Sequence, residues 1–340
     1  MKNVLITGGA GFIGSNFVRY FIKHYPDSNV VVYDKMTYAG NEENLADVMG
    51  NENFKLIKAD ITEQEVFETV LAENNIDTIV HFAAETHVDR SIEDPEIFLQ
   101  SNVVGTFRIL EAVRKNPNIR LHHVSTDEVF GSLPLDQMEV KFSETTSYDP
   151  KSPYSASKAA SDHFVRAYVN TYGIKATISN CSNNYGPYCY PEKLIPLAIT
   201  RALHDEEIPI YGEGNQIRDW IHVDDHCYGI DLILQKGKIG ETYILGGHGE
   251  KTNKWIVSKI LELLGKDEGL MVHVGDRKGH DERYAMDFSK AKDELGFAPQ
   301  KPIEERLKET AEWYKNNQEW WQDSKKVADQ IAEKYLANRI

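Results

Sequence analysis

The feature that most constrains the fold is a glycine-rich turn directly after a short apolar run. The segment GGAGFIG spans residues 8–14 and follows the apolar residues 4–6. Its glycines Gly8, Gly11 and Gly14 recur every third residue, immediately before a run with helical periodicity. Glycines at this spacing permit a tight turn and close helix packing, so that a helix N-terminus faces a pyrophosphate. The turn predicts dinucleotide binding, although an ordinary strand-to-helix turn would share part of the pattern.

Short apolar runs alternate with helical patterns along the first half of the chain. The predicted strands are residues 4–6, 30–33, 54–59, 78–82, 120–124 and 176–179. The predicted helices between them include residues 12–24, 63–73, 97–115 and 154–172. This alternation is typical of an α/β fold with a doubly wound parallel sheet of the Rossmann type. Ligands in such sheets bind beyond the carboxyl ends of the strands.

An acidic residue ends the second predicted strand. Asp34 lies 20 residues after Gly14, where a carboxylate can accept hydrogen bonds from an adenosine ribose. The same charge repels a 2′-phosphate, so the position favours NAD over NADP. Lys35 follows directly and weakens this inference slightly.

The pattern loosens after about residue 185, where proline and glycine become frequent. We expect residues 1–184, with residues 222–246 returning, to form the NAD-binding domain. Residues 185–221 and 247–340 would form a smaller substrate-binding lobe. The tail has a charged helical pattern, for which we predict apolar anchors at the positions Val327, Ile331 and Tyr335.

Two adjacent acids follow the fifth predicted strand, and a tyrosine–lysine pair follows later. Asp127 and Glu128 come directly after Thr126, whereas Tyr154 and Lys158 stand one helical turn apart. A lysine ammonium can lower the pKa of the phenol, and two carboxyls in different environments can serve as acid and base. Together they predict hydride chemistry on an alcohol coupled to loss of water. Separately, each pair could be solvated surface residues.

A metal site is a weaker hypothesis. His222 and His226 stand four residues apart with two aspartates between them, but no third-ligand pattern accompanies them. We favour a helix-capping role for the acid pair Asp224-Asp225 and expect no metal.

Composition narrows the class of protein. A formal net charge of -15 argues against a nucleic-acid partner. Three cysteines without C-x-x-C spacing suit a reducing, cytoplasmic setting. No apolar run reaches the roughly 20 residues that span a bilayer, and the N-terminus does not resemble a signal peptide. We therefore expect a small-molecule enzyme with neither a membrane nor a nucleic-acid partner.

The combination of GGAGFIG with Tyr154-x-x-x-Lys158 resembles the extended short-chain dehydrogenase/reductase family. Within it, the chain is most similar to the 4,6-dehydratases that act on dTDP-glucose. The resemblance extends from residue 1 to about 321. The matching segments are residues 34–41, 83–91, 125–131, 180–188, 191–196, 218–220 and 279–281.

The resemblance implies three sets of site residues. The catalytic set is Thr126, Asp127, Glu128, Tyr154 and Lys158. The NAD site comprises Gly8, Gly11, Phe12, Ile13, Gly14, Asp34, Lys35, Met36, Thr37, Asp60, Ile61, Phe82, Ala83, Ala84, Ser101, Tyr154, Lys158 and Asn184. The nucleotide-sugar site comprises Thr86, Thr126, Asn183, Lys193, Leu194, Pro209, Ile210, Tyr211, Arg218, Asn253, Asp276, Arg277 and His280.

The implied reaction converts dTDP-glucose to dTDP-4-keto-6-deoxyglucose with tightly bound NAD that is regenerated at each turnover. It would belong to dTDP-rhamnose or related deoxysugar biosynthesis, in a homodimer formed by the helices near residues 97–115 and 154–172. Another nucleotide sugar could be the substrate of the same dehydration. A nucleotide-sugar 4-epimerase or decarboxylase would share Tyr154 and Lys158 but would not need Asp127 and Glu128. An inactive NAD-sensing regulator would be expected to have a damaged catalytic set.

Overall fold

The computed structural model describes residues 1–276 and 280–340. Its strands are β1 Asn3–Thr7, β2 Asn29–Asp34, β3 Phe54–Lys58, β4 Thr78–His81, β5 Arg120–Thr126, β6 Lys175–Cys181, β7 Asn183–Tyr185, β8 Ile208–Tyr211, β9 Ile217–Arg218, β10 Trp220–His222, β11 Thr242–Leu245, β12 Lys251–Thr252 and β13 Met271–Val274. Its α-helices are α1 Phe12–His24, α2 Gln64–Glu73, α3 Val88–Glu93, α4 Pro95–Phe98, α5 Gly105–Lys115, α6 Pro153–Tyr172, α7 Leu194–Leu203, α8 Val223–Lys236, α9 Asn253–Leu264, α10 Ser289–Leu295, α11 Ile303–Asn316 and α12 Gln318–Leu336.

The main sheet has seven strands in the order β11-β6-β5-β4-β1-β2-β3. All neighbours in it are parallel, and this confirms the predicted doubly wound α/β fold. The strand order reverses at β1, which lies between β2 and β4. A crevice at the carboxyl ends is expected at such a reversal. The glycine turn after β1 opens into it.

Each face of the sheet is covered by helices, which explains why the centres of β1, β2 and β4 are continuous apolar runs. On one face, β1 residues Val4 and Ile6 pack with Phe17 of α1 and Ile230 of α8. On the other face, Leu5 packs in the cluster that contains side chains of α2, α5 and α6. The site is therefore carried on a rigid layered scaffold.

The predicted helix over residues 97–115 contains an irregular turn. A π-helical segment, Leu99–Val104, separates α4 from α5. Within it, Asn102 donates to the carbonyl of Glu85 at 3.0 Å and to Ser157 Oγ at 2.8 Å. Such turns commonly occur at functional sites. Here the turn ties the loop after β4 to α6.

A smaller lobe follows β6, with three two-stranded sheets, β7–β10, β9–β12 and β8–β13. Its core joins α7, α9 and α11, and includes the fully buried Trp321 of α12. β11 comes later in the chain but pairs with β6 at the edge of the main sheet. We propose the same division as from the sequence, with residues 1–184 and 222–246 in the dinucleotide-binding domain.

The tail forms α12, but its buried face differs from the prediction. Val327 is 48% exposed, whereas Ala328 and Ala332 are 1% exposed and pack with Leu197 of α7. The prediction that Val327 anchors the helix is therefore wrong. Ala328 and Ala332 form the buried face instead, because their small side chains allow close contact with α7. No α-helix within the described ranges is long and apolar enough to cross a membrane.

Candidate active site

The turn after β1 has the tight geometry that its glycines predict. Gly8 has a φ of 67°, and a Cβ at this position would lie 2.6 Å from the backbone nitrogen of Ala83. A Cβ on Gly14 would collide with the carbonyl oxygen of Gly8. Only glycine fits either position without a shift of the backbone. The first turn of α1 is thereby held against the strand ends, with its N-terminus open to the crevice.

Asp34 is held by the same turn. Its Oδ2 accepts from the Ala10 amide at 2.9 Å and its Oδ1 from the Met36 amide at 2.8 Å. Burial raises the pKa of Asp34, while these two backbone bonds oppose the shift. The neighbouring Lys35 forms an ion pair with Asp60 at 2.7 Å. The ammonium group of Lys35 therefore lies near the carboxyl end of β3, where Asp60 follows the strand.

The acid pair lies immediately beyond β5. Thr126 begins the turn Asp127–Phe130, where its hydroxyl accepts from the Glu128 amide at 3.3 Å and donates to Asp127 Oδ1 at 3.1 Å. Asp127 is 1% exposed, and its Oδ2 has no hydrogen-bond partner among the described residues. Burial, with the Glu128 carboxylate as second cause, raises the pKa of Asp127 well above its usual range. Burial therefore favours the protonated form of the Asp127 carboxyl.

Tyr154 and Lys158 lie on the first turns of α6. The helix begins with a capping box between Ser152 and Ser155 and with Pro153 at its first position. Burial raises the pKa of Tyr154 well above its usual range, and the Glu128 carboxylate adds to the shift.

The effect of Lys158 on the phenol pKa stays a prediction. Burial dominates the phenol, and the ammonium of Lys158 donates to the Val124 carbonyl at 2.8 Å. Burial also lowers the pKa of Lys158, and the carboxylate of Asp162 opposes that shift.

A buried polar network lies beneath this pair. Asp162 follows Lys158 by one turn and accepts from Ser125 Oγ at 2.9 Å and from the Tyr148 hydroxyl at 2.7 Å. Its second oxygen lies 3.1 Å from Nε2 of His123. Asp162 and His123 have no solvent exposure. The network couples the end of β5 to α6 and fixes their relative position.

A single cleft of about 610 Å³ connects the glycine turn, the acid pair and the smaller lobe. It brings together most of the residues that were predicted for the site. Those lining it are Gly8, Gly11, Phe12, Ile13, Gly14, Asp34, Lys35, Thr37, Asp60, Ile61, Phe82, Ala83, Ala84, Thr86, Ser101, Thr126, Asp127, Glu128, Tyr154, Lys158, Asn183, Asn184, Lys193, Leu194, Pro209, Ile210, Tyr211, Arg218, Asn253 and His280.

Two predicted residues within the described ranges, Met36 and Asp276, are not among the residues that line the cleft. The side chain of Met36 is not part of the lining, although its amide binds Asp34. Asp276 instead accepts from Gln216 at 2.9 Å and lies 2.7 Å from Nδ1 of His280. Arg277 falls outside the described residues. The direct contacts of Met36 and Asp276 are therefore with the protein's own groups.

The segment around His222 and His226 has a structural role. His222 precedes α8, and its Nδ1 accepts from the Asp224 amide at 3.2 Å. Nδ1 of His226 lies 2.9 Å from the side-chain oxygen of Asn184. Among the described residues, no group of three or more His, Cys, Asp or Glu could hold a metal ion. The prediction that the acid pair caps the helix is therefore wrong, because His222 is the cap and Asp224 and Asp225 lie in the first turn of α8.

Sequence reasoning missed the part of the cleft formed by the C-terminal tail. Trp320, Ser324, Ile331 and Tyr335 line it from α12. The charged helical pattern gave no signal for this position, because only the folded lobe places α12 beside the cleft. The aromatic residues of the tail were the one available indication.

Known proteins share this arrangement. The family model described as GDP-mannose 4,6 dehydratase matches residues 5–310. The dTDP-glucose 4,6-dehydratase of Mycolicibacterium smegmatis is 51% identical over 333 residues, which cover 98% of each chain. The dTDP-glucose 4,6-dehydratase of Mycobacterium tuberculosis is 50% identical over 327 residues, which cover 96% of this chain and 97% of that protein.

The likeness extends to three dimensions. The structure of the Streptomyces venezuelae dTDP-glucose 4,6-dehydratase, which has NAD bound, matches with a TM-score of 0.91 at 45% identity. It covers 95% of this chain and 99% of that one. Sequence and fold agree over nearly the whole length, and the chain therefore belongs to the dTDP-glucose 4,6-dehydratase family.

Proposed function

We propose that this protein is an NAD-dependent hydro-lyase that converts dTDP-glucose to dTDP-4-keto-6-deoxyglucose. The observation that carries the proposal is one cleft that holds a dinucleotide turn, a Tyr-Lys pair and a buried acid of raised pKa beside a second carboxyl group. An epimerase would need the first two features only. The names of the relatives favour dTDP-glucose as the substrate and deoxysugar biosynthesis as the setting.

The residues of the cleft fit NAD. The N-terminus of α1 is open beside glycines at positions where a Cβ atom would crowd the neighbouring backbone. An open helix N-terminus of this kind suits a pyrophosphate. Asp34 uses one bond per carboxylate oxygen on the backbone. Each oxygen can accept a further bond from a ribose hydroxyl. When bound, NAD supplies a hydride acceptor for C4 of the sugar and a hydride donor for C6.

In this mechanism Tyr154 removes the proton of the sugar 4-hydroxyl. Thr126 Oγ1 hydrogen-bonds the same sugar oxygen. Because burial holds the phenol neutral, proton removal requires a positive charge that stabilises the phenolate. Lys158, one helical turn away in the same cleft, can provide that charge.

The acid pair carries out the elimination. A ketone at C4 acidifies the C5 proton, which the Glu128 carboxylate removes. Asp127 donates its proton from Oδ2 to the departing 6-hydroxyl, which leaves as water. Return of the hydride to C6 is then balanced by return of a proton to C5. The opposite roles follow from the environments: burial keeps Asp127 protonated, while Glu128 is only partly buried.

The smaller lobe binds the nucleotide part of the substrate. Lys193 precedes α7, and Arg218 lies with its guanidinium 4.3 Å from the centre of the Tyr284 ring. Both cations line the cleft. A helix N-terminus with adjacent cations suits a diphosphate. The negatively charged diphosphate of the substrate would therefore bind on the side of the smaller lobe.

The decisive experiment is mass spectrometry of dTDP-glucose after incubation with the purified protein, without added reductant. We expect loss of one water and no net accumulation of NADH. An unchanged mass would refute dTDP-glucose as the substrate. The same test on UDP-, CDP- and GDP-sugars would then identify another dehydration, whereas an isomer of unchanged mass would identify an epimerase.

We also propose a homodimer formed through α4, α5 and α6. Large apolar side chains are exposed there, including Leu99 and Tyr172, each at 53%, and Phe164 at 40%. Exposed apolar groups clustered on neighbouring helices are typical of a subunit interface. Sedimentation of Phe164→Glu should show monomers. Leu135→Glu, an exposed apolar site outside these helices, should sediment like the parent, and a monomeric parent would refute the dimer.

We place the enzyme in the cytoplasm. Its three cysteines, Cys181, Cys189 and Cys227, are all free and buried. Free thiols persist in a reducing compartment. Labelling of the native enzyme in cell fractions would test this, since recovery in a periplasmic or secreted fraction would contradict it.

A further inference from the structure

The C-terminal helix α12 bonds to the segment between β2 and β3 through its first turn. The helix spans Gln318–Leu336, beyond residue 310, where the match to the family model ends. Nε1 of Trp320 donates to Oδ1 of Asn44 at 2.8 Å. Asn44 is 2% exposed and lies in the 3₁₀ turn Glu42–Leu45. A residue of the tail is therefore bonded to a buried amide that is more than 270 residues away in the chain.

The other end of the same amide reaches the glycine turn. Nδ2 of Asn44 donates to the carbonyl of Ala10 at 2.8 Å, and the Asn41 amide donates to the same oxygen at 3.1 Å. The Ala10 amide in turn donates to Asp34 Oδ2 at 2.9 Å. Both polar backbone atoms of Ala10 are thereby held, in the middle of the turn that faces a pyrophosphate.

Trp320 sets the orientation of the Asn44 amide. An indole N–H can donate a hydrogen bond but cannot accept one. It therefore requires the amide oxygen of Asn44 on its own side, and this directs the NH₂ group toward the Ala10 carbonyl. The two bonds form a chain from α12 to the glycine turn.

An aromatic cluster holds the indole of Trp320 in place. Its ring meets the ring of Trp313 at 5.2 Å and the ring of Tyr188 at 5.4 Å, both edge to face. The guanidinium of Arg19, on α1, lies 3.8 Å from the centre of the Tyr188 ring. Arg19 also donates to the backbone carbonyl of Asn44. Helices α1 and α12 thus meet the Glu42–Leu45 turn at one point beside the cleft.

The glycine turn needs such support from outside. Its glycines allow the tight backbone path, but they also give the free chain more conformations than other residues would. A site that is already ordered binds its ligand with a smaller loss of conformational entropy. Bonds that fix Ala10, between Gly9 and Gly11, therefore favour a turn that is ready for the cofactor.

We propose that Trp320 is a positioning residue for NAD, which acts through Asn44 to hold the glycine turn in its binding conformation and so slows release of the cofactor. The proposal rests on the NAD-binding part of the proposed function, and it is independent of the dehydration and of the sugar. It gives the C-terminal helix a part in retaining a cofactor that is regenerated at each turnover.

The test is the rate of NAD release from the purified holoenzyme, followed by chromatographic quantification of the bound nucleotide after dilution and filtration. Trp320→Phe keeps a ring in the cluster but lacks the N–H, so Oδ1 of Asn44 loses this donor. We expect release about tenfold faster, the effect of one buried polar group left unpaired. The affinity for dTDP should stay close to that of the parent. Equal losses of NAD retention and dTDP affinity would indicate general disruption and overturn the proposal.

A double variant distinguishes positioning through Asn44 from a direct contact between Trp320 and NAD. Asn44→Ala should release NAD at least as fast as Trp320→Phe. If Trp320 acts through Asn44, combining the two substitutions should release NAD no faster than Asn44→Ala alone. Effects that multiply in the double variant would overturn the proposal. If Trp320→Phe does not fold, Asn44→Ala carries the test by itself, and parent-like release there would overturn the proposal equally.

The matched control is Trp313→Phe, which trims another indole of the same cluster, 4.7 Å from the Tyr188 ring, and leaves the donor to Asn44 in place. It should release NAD within about twofold of the parent rate, because it removes no bond to the turn. Release as fast as in Trp320→Phe would show that packing, not the N–H, holds the turn, and would overturn the proposal. A parent that retains NAD but does not dehydrate dTDP-glucose would refute the dehydration alone, because retention is measured without substrate.

Discussion

The hydroxyl of Thr126 donates to Oδ1 of Asp127 at 3.1 Å and leaves Oδ2 of the same carboxyl without a hydrogen-bond partner in the described part of the chain. An unpartnered, nine-tenths buried carboxyl oxygen is costly unless it carries a proton or meets a ligand. The raised pKa of Asp127 favours the form of the carboxyl that carries a proton. The turn after β5 thus prepares one acid for donation while it leaves Glu128 partly exposed.

Asp127→Asn should separate oxidation from elimination. The amide keeps the size of the side chain but cannot donate the proton that expels the 6-hydroxyl. We expect the rate of water loss to fall by about 10²–10⁴, the usual contribution of a general acid. C4 oxidation should persist in part, and would appear as enzyme-bound NADH absorbance in a single turnover.

Glu128→Gln is the companion variant, because it removes the proposed base while it keeps the neighbouring acid. It should also retain C4 oxidation, but exchange of the C5 hydrogen with deuterium from solvent should be lost. A double variant that dehydrates dTDP-glucose at the parent rate would disprove both roles.

The pH dependence follows from the raised pKa of Asp127. The protonated carboxyl is the active form, so water loss should slow as pH rises through the pKa of the folded protein. The linkage has the same direction: above the unfolded value of about 3.9, the native state keeps a proton that the unfolded chain has released. The free energy of unfolding therefore declines as pH rises toward the folded pKa.

Asp127→Asn should lack this decline and be more stable relative to the parent at the alkaline end. Urea titrations of both proteins at several pH values would measure it. Identical pH slopes in the two proteins would show that Asp127 titrates normally.

The fold could be predicted because several strands of the main sheet, among them β1, β2 and β4, have a short apolar run at their centre. Val4, Leu5 and Ile6 of β1 are fully buried, and burial on both faces of the sheet favours apolar residues at these three successive positions. The glycine turn could be recognised because its backbone geometry excludes other residues. The apolar strand and the glycine turn both depend on neighbouring residues in the chain, so they can be recognised in a single sequence.

Other features depend on contacts between distant segments. A lysine such as Lys325 is expected to be exposed, but ion pairs with Glu206 and Asp329 allow it to be buried. Ala328 and Ala332 are too weakly apolar to mark the buried face, so the periodicity favoured Val327. The bond from Lys158 to the Val124 carbonyl likewise arises from packing of α6 on β5. No spacing of residues along the chain contains this information.

Asp34→Asn should weaken NAD retention more than tenfold. One backbone amide, from Ala10 or Met36, would then face the new side-chain NH₂ group, and an unmet buried donor costs about 1–3 kcal/mol. Loss of the charge should also narrow the preference for NAD over NADP. Chromatographic quantification of nucleotide in the purified protein, with titration of both cofactors, measures this.

The control for Asp34 is Asp47→Asn, which neutralises a carboxylate that is 53% exposed and pairs with Arg19 outside the cleft. It should purify with the parent content of NAD. Equal retention in Asp34→Asn would mean that its carboxylate does not hold the ribose.

Trp321→Ala should destabilise the smaller lobe strongly. Trp321 is fully buried, and its Nε1 donates to the Tyr314 carbonyl at 2.8 Å. Its removal leaves a large cavity and breaks this hydrogen bond, although the Tyr314 carbonyl still accepts from the Asn317 amide at 3.4 Å. We expect a loss of about 3–5 kcal/mol in the free energy of unfolding. Urea denaturation followed by circular dichroism measures the loss. Val327→Ala, on the exposed face of α12, should change the midpoint little, so similar midpoints for the two variants would show that α12 is not part of the cooperative core.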